Sequence, residues 1–453
     1  MVSRAYLGLA SLIAVIAVSG GACTCSKGSE SGTADASSTS SAETSEGAAP
    51  ALGAREETGA GGGLSAPIAA ARGEQGDVVV AGLDVAARAI RVQRISAKDE
   101  VLAERTVFEG AGWTSEAELK IMPAGGGVAI VWRGLRSKKT VRQALILGPD
   151  LAPIGDVIDV APASCATRDA LWYTDGKRIH SRPWASAPSR FGMPGDKEGA
   201  VLVCGAHRAF GLVDDDEGTS LLSWGGGDGG TPKVLVTSLL KESDYGEDDQ
   251  RERSEYTVGD DVGVVRLSVA GAVSLREVRS GVVGPLRKLK TMIPHDDDVV
   301  AVDASPRAIV VVFTEDVGDA CPKGDGGAAT ASTRVKALRV DRTTFEESTV
   351  ELSPGMCGRE VGPFFTGAIG DAVSVAWVER LSVIGMSRAP IAGLLHRTVP
   401  ASGPAGELAR IEQPADALVD AGCDSTRCYA VALARRTGMD AMVPGLARVL
   451  RYP

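Results

Sequence analysis

Aromatic side chains are scarce in this sequence: seven Phe, six Trp and six Tyr make up 4% of 453 residues, against 56 glycines. That balance fits a fold of many short elements joined by tight turns. Histidine is scarcer still. His180, His207, His295 and His396 form no HExxH and no i, i+4 pair, which argues against a histidine-built metal centre. Each reads as a loop or core residue. No long basic run occurs, and 58 acids outnumber 48 Lys and Arg for a net charge of −10. Such a surface repels phosphate backbones, so nucleic acid is excluded as a partner. No apolar run reaches the 18 residues of a membrane-spanning helix. What is there is ordinary for a globular protein, with 44% hydrophobic and 23% charged residues. The length exceeds the ~250–300 residues at which one hydrophobic core stops growing.

The first 25 residues carry an address. Met1 to Arg4 is a short positive start, Ala5 to Val18 is an apolar run of 14 residues, and Ser19-Gly20-Gly21-Ala22 leads to Cys23. The run has the length of a signal h-region. The pattern resembles the bacterial lipoprotein signal, with Gly20 where that family usually has Leu. The resemblance implies cleavage after residue 22, lipid on Cys23 and anchoring to the outer membrane, with Thr24 following the cysteine. From Ser26 to about Gln75 the chain is Ser, Thr, Ala, Gly and Glu, and no aromatic occurs between Tyr6 and Phe108. Composition therefore predicts a disordered linker over 23–75 and a folded domain over 76–453.

Within 76–453 one element recurs. Val78–Asp84, Val128–Arg133, Ala170–Thr174, Ala209–Asp214, Val262–Leu267, Ala308–Thr314, Ala372–Val378 and Tyr429–Arg435 are near-continuous apolar runs that start about 50 residues apart. Such runs read as strands buried on both faces. Weaker, alternating strands lie between them, at Val141–Leu147, Val234–Leu239, Val335–Val340 and Leu394–Val399. A turn motif precedes several runs: Asp159 with Cys165 and Arg168, Asp303 with Arg307, Asp420 with Cys423 and Arg427, and Cys204 with Arg208. The repeats resemble the β-propellers of many bacterial lipoproteins. The expected fold is thus an all-β propeller, seven blades favoured and six to eight allowed, closed by a strand from one terminus entering the blade of the other. Two β-sandwich domains are the alternative.

Beyond Cys23 and Cys25, six cysteines remain: Cys165, Cys204, Cys321, Cys357, Cys423 and Cys428. An even number in an exported chain reads as disulfides, and neighbours in sequence give Cys165–Cys204, Cys321–Cys357 and Cys423–Cys428 among 15 pairings. Catalytic patterns fail one by one. Ser238-Leu-Leu-Lys241 lacks a helix and a K-T-G partner, and Gly385-Met-Ser387-Arg-Ala389 lacks the strand-to-helix turn of a nucleophile elbow. Gly225-x-Gly227-x-x-Gly230 is a glycine run before Pro232. The acidic clusters at Asp214–Glu217, Glu247–Asp249 and Asp296–Asp298 lack calcium-loop spacing. No catalytic, metal or cofactor residue is assigned. The expectation is a non-catalytic module that binds a protein or glycan. A propeller-type hydrolase or lyase, with its site in the central channel, is the alternative.

Overall fold

All eight apolar runs are second strands. In the computed structural model the chain forms, among the described residues, eight antiparallel sheets, each a meander of consecutive strands save that in the fifth Arg287–Met292 pairs with Ala272–Arg279. The model describes residues 65–452 apart from short intervals and the longer ones 110–117, 193–200, 226–232, 242–252, 318–331, 382–390 and 435–446. Sheets 1 to 8 occupy residues 65–109, 119–159, 164–192, 201–241, 253–292, 298–353, 359–411 and 415–452. The eighth has three described strands, the fifth has five and the others have four.

The first strand of every sheet is innermost. Ser65–Arg72 packs beside Leu119–Ala124, and the contact passes on through Ser164–Ala166, Val201–Cys204, Arg253–Val258, Asp298–Ala304, Arg359–Ile369 and Ala415–Cys423 back to Ser65–Arg72. That closed circuit of inner strands makes the molecule a β-propeller. The described residues give eight sheets, within the allowed six to eight and one more than the favoured seven.

Eight apolar clusters fill the eight seams between neighbouring sheets. Strand geometry explains the unbroken apolar runs, because alternate side chains face opposite neighbours. In Ala308–Asp316, Ile309, Val311 and Phe313 face sheet 5. Val310 and Val312 face sheet 7. Each buried Val or Ile is worth about 1.5–3 kcal/mol, and every second strand contributes on both sides.

Two expectations change. The inner strand of sheet 1, Ser65–Arg72, lies inside the stretch that composition assigned to a linker. Its Ala69, Ala70 and Ala71 are buried in the seams on either side. Near the ring axis small side chains suffice, so a strand of Ala is indistinguishable by composition from a tether. Closure also differs, since no described sheet mixes strands from the two ends of the chain. The seam between sheets 8 and 1 is held by Tyr429 and Val431 against Val78, Val80 and Ile95. Across it Arg451 donates to the carbonyls of Gly76 at 3.0 Å and Ser96 at 2.7 Å. The four weaker segments are strands between the apolar runs, Val234–Leu239 in the outer strand Lys233–Lys241 and the other three in third strands.

Candidate functional site

In sheets 3 to 7 a two-residue tip joins the inner strand to the second. The tips are Arg168-Asp169, Ala206-His207, Gly259-Asp260, Pro306-Arg307 and Gly370-Asp371. Every inner strand runs the same way, so the five tips stand at one mouth of the ring. Their second positions read, in order, acid, imidazole, acid, guanidinium, acid.

The register separates residues that the sequence motif had grouped. Arg168 is first in its tip, Arg307 is second in its tip, and Arg208 opens the second strand of sheet 4. The three arginines are therefore not equivalent, although all are exposed. Asp159 also leaves the motif: it pairs at the outer edge of sheet 2, whereas Asp303 and Asp420 lie in inner strands. The turn motif mixed two features because connections between sheets differ in length. Arg427 lies outside the described residues.

The tips of sheets 3, 4 and 5 bond in series. The Arg168 N–H donates to Ala206 O at 2.6 Å, and the Ala206 N–H donates to Gly259 O at 2.7 Å. The His207 N–H donates to Asp260 Oδ1 at 2.6 Å. His207 Nδ1 stands 3.0 Å from Asp169 Oδ2, so its Nδ1–H donates to the carboxylate. Packing here admits no side chain at Gly205, where a Cβ would come 2.5 Å from Gly259 O. Further round, the Ser305 hydroxyl donates to Asp371 O at 2.8 Å. Beneath the tips of sheets 5 and 6 lies a buried ionic lock. Arg342 Nε meets Glu277 Oε1 at 2.7 Å with both side chains 5% exposed, and its other nitrogens reach Asp261, Ser305 O and Pro306 O.

An Asp–His pair is the orienting half of a general base. Among the described residues no Ser, Thr or Cys side chain bonds to His207. A Ser–His contact does exist elsewhere. Ser374 Oγ and His396 Nε2 are 2.7 Å apart on the second and third strands of sheet 7. Both are buried, at 1% and 4% exposure, and they face the seam that holds Ala376, Leu394 and Cys428. Burial lowers the imidazole to about 4, which keeps it neutral but places it where no substrate reaches. Two inner-strand groups face neighbouring sheets. Enclosure lowers the Lys120 ammonium against the opposing pull of Glu118, and its Nζ lies 3.4 Å from Ser164 O. Burial raises the Asp303 carboxyl, opposed by the Ala304 N–H and the Thr366 hydroxyl. Among the described residues no group of three His, Cys, Asp or Glu is placed to hold a metal ion.

Cys165 and Cys204 form a disulfide between the inner strands of sheets 3 and 4, with Cα atoms 5.6 Å apart. Cys357 and Cys428 each belong to a further disulfide, and the ladder sets Cys423 opposite Cys428. Cys321, Cys23 and Cys25 lie outside the described residues, as do His295 and the 247–249 and 385–389 motifs. Ser238 and Lys241 lie on a strand, not the helix that an S-x-x-K site requires. His207, read from sequence as a loop residue, lies in the tip of sheet 4, whereas Asp169, Asp260 and Asp371 had not been singled out. Their signal was present: a turn pair directly before each apolar run.

No family model and no curated protein matches the chain. Among solved structures it is similar to a prolyl endopeptidase at 12% identity and a TM-score of 0.45, over 85% of this chain and 59% of that one. It is also similar to the β-propeller domain of the Trilobed protease from Pyrococcus furiosus, at 12% identity and a TM-score of 0.41, over 75% of this chain and 94% of that one. The WD40 domain of SCAP from fission yeast gives 9% identity and a TM-score of 0.42, over 86% and 94%.

Proposed function

We propose that the ring is a non-catalytic binding module for a protein or glycan, exported and held at the outer membrane by lipid on Cys23. One observation carries the binding role. The tips of sheets 3, 4, 6 and 7 present Asp169, His207, Arg307 and Asp371 exposed at one mouth of the ring, while the Ser–His pair is shut inside a seam. At that mouth the linked Asp169, His207 and Asp260 are pre-positioned, which suits recognition because little side-chain freedom remains to be lost on binding. The anchor rests on the positive start, the 14-residue apolar run and the small residues before Cys23.

Two experiments test this reading. A photo-crosslinking residue at Arg307 or Asp371 should trap one partner in cells. The same residue at Val101, on an outer strand, should trap none, and fluorogenic ester and peptide panels should show no turnover. Equal trapping at both places, or turnover abolished by His207→Ala, rejects the module. For the anchor, labelled palmitate should enter the wild-type chain and not Cys23→Ala. Equal labelling of the two removes the lipid from the account.

A further inference from the structure

Phe345 sits in the turn between the third strand of sheet 6, Thr333–Asp341, and its outer strand, Glu347–Ser353. Its backbone is left-handed, with φ of 59°, which a bulky side chain rarely adopts. The turn enforces it. The Phe345 N–H donates to Asp341 O at 2.8 Å, and the Asp341 carboxylate accepts the N–H groups of Thr343 and Thr344, each at 2.7 Å. The enforced geometry carries the ring across the seam onto sheet 5. There the Arg287 guanidinium carbon lies 3.6 Å from the ring centroid, and that of Arg279 lies at 5.7 Å.

The two arginines differ in their remaining partners. Arg279 is pinned, its Nε donating to Glu277 Oε2 at 2.9 Å and another nitrogen to Arg342 O. Arg287 is exposed, and no acceptor among the described residues takes a hydrogen bond from it. Nearby acids are already engaged. Glu277 holds Arg279 and Arg342. Glu347 accepts the N–H groups of Lys290 at 2.9 Å and Thr291 at 2.8 Å, and Asp261 accepts that of Ser280 at 2.9 Å. A guanidinium held 3.6 Å over an aromatic ring is restrained by that face, and its planar set of N–H groups remains a fork. Such a fork, unused and with a second guanidinium near it, matches two oxygens of one anionic group.

We propose that Arg287, held on Phe345 and assisted by Arg279, is a binding site for an oxyanion: a carboxylate, sulfate or phosphate. The site stands on its own geometry, independent of the membrane anchor and of the tip rim. The test is fluorescence anisotropy of a labelled heparin-derived tetrasaccharide on the full folded chain, competed with inorganic phosphate. Binding should saturate, and phosphate should displace the label. Arg287→Ala should weaken it ~10-fold or more and Arg287→Lys several-fold, because lysine keeps the charge and loses the fork. Lys288→Ala, which removes the adjacent exposed cation, should change affinity less than about twofold. Phosphate that saturates an Arg287 side-chain NMR signal while the tetrasaccharide fails to bind supports the same site with a free ion as ligand. No saturable binding of either anion overturns the proposal. So does an equal loss from Lys288→Ala, which would mean diffuse positive charge rather than a site. Thermal unfolding of Arg287→Ala at the wild-type midpoint keeps a negative result from being a folding defect.

Discussion

Sheets 3 and 4 are joined differently from sheets 6 and 7. In the latter pair the inner strands run 7 and 11 residues, and the seam buries ten apolar residues, among them Trp377, Val310 and Val375. In the former pair the inner strands are 3 and 4 residues long, and eight residues fill the seam. What that pair lacks in strand length it gains in cross-links: the Cys165–Cys204 bridge, the tip-to-tip backbone bonds and the His207–Asp169 contact. A propeller seam can thus be closed by apolar area or by covalent and polar links at the mouth. Where the inner strand is short, the links add to a smaller apolar seam.

Four predictions bear on that contrast. Trp377→Ala empties the larger seam and should cost about 3–5 kcal/mol, read from denaturant midpoints in oxidised and reduced protein alike. A cost that appears only after reduction would mean that disulfides, not area, hold this seam. Cys165→Ser should cost about 2–4 kcal/mol, because the bridge closes a loop with a sequence separation of 39. A loss of under about 1 kcal/mol would show that the tips alone suffice.

Acid should weaken the sheet 7 side through His396. Its folded value of about 4 lies below the unfolded 6.5. The stabilisation is therefore present above pH 6.5 and is lost as pH falls toward 4, by about 3 kcal/mol in all. A His396→Gln variant should flatten that part of the pH profile, and an unchanged slope would assign it to other groups. The smallest effect belongs to His207→Ala. The His207–Asp169 pair is about half exposed, so its loss should cost under about 1 kcal/mol and show only as faster exchange at the tips.

Much of the fold was readable because the second strand is buried on both faces, so each sheet announces itself by one apolar run. Sheet 3 shows the limit. Its inner strand, Ser164–Ala166, is too short to carry a periodicity, and only Cys165 marked it. The inner strand of sheet 1 was hidden for a different reason: alanine beside the ring axis looks like linker composition. At the candidate site, the Cys165–Cys204 pairing was legible from neighbourhood in the sequence. The tip rim was not. Its members occupy a common position only once the hairpin register is known, and arginine recurrence pointed to three different positions. The Ser374–His396 and Arg287–Phe345 contacts join residues 22 and 58 positions apart, so each exists only through strand pairing or seam packing. No local pattern announces them.

Native-state hydrogen exchange with and without reductant tests the central contrast most directly. In the oxidised protein the second strands Ala170–Thr174 and Arg208–Asp215 should exchange as slowly as Ala308–Asp316 and Ala372–Leu381. On reduction, protection should fall in the first two and persist in the last two, because ten buried apolar residues fill that seam. Uniform loss across all four strands, or no loss in any, would contradict the account.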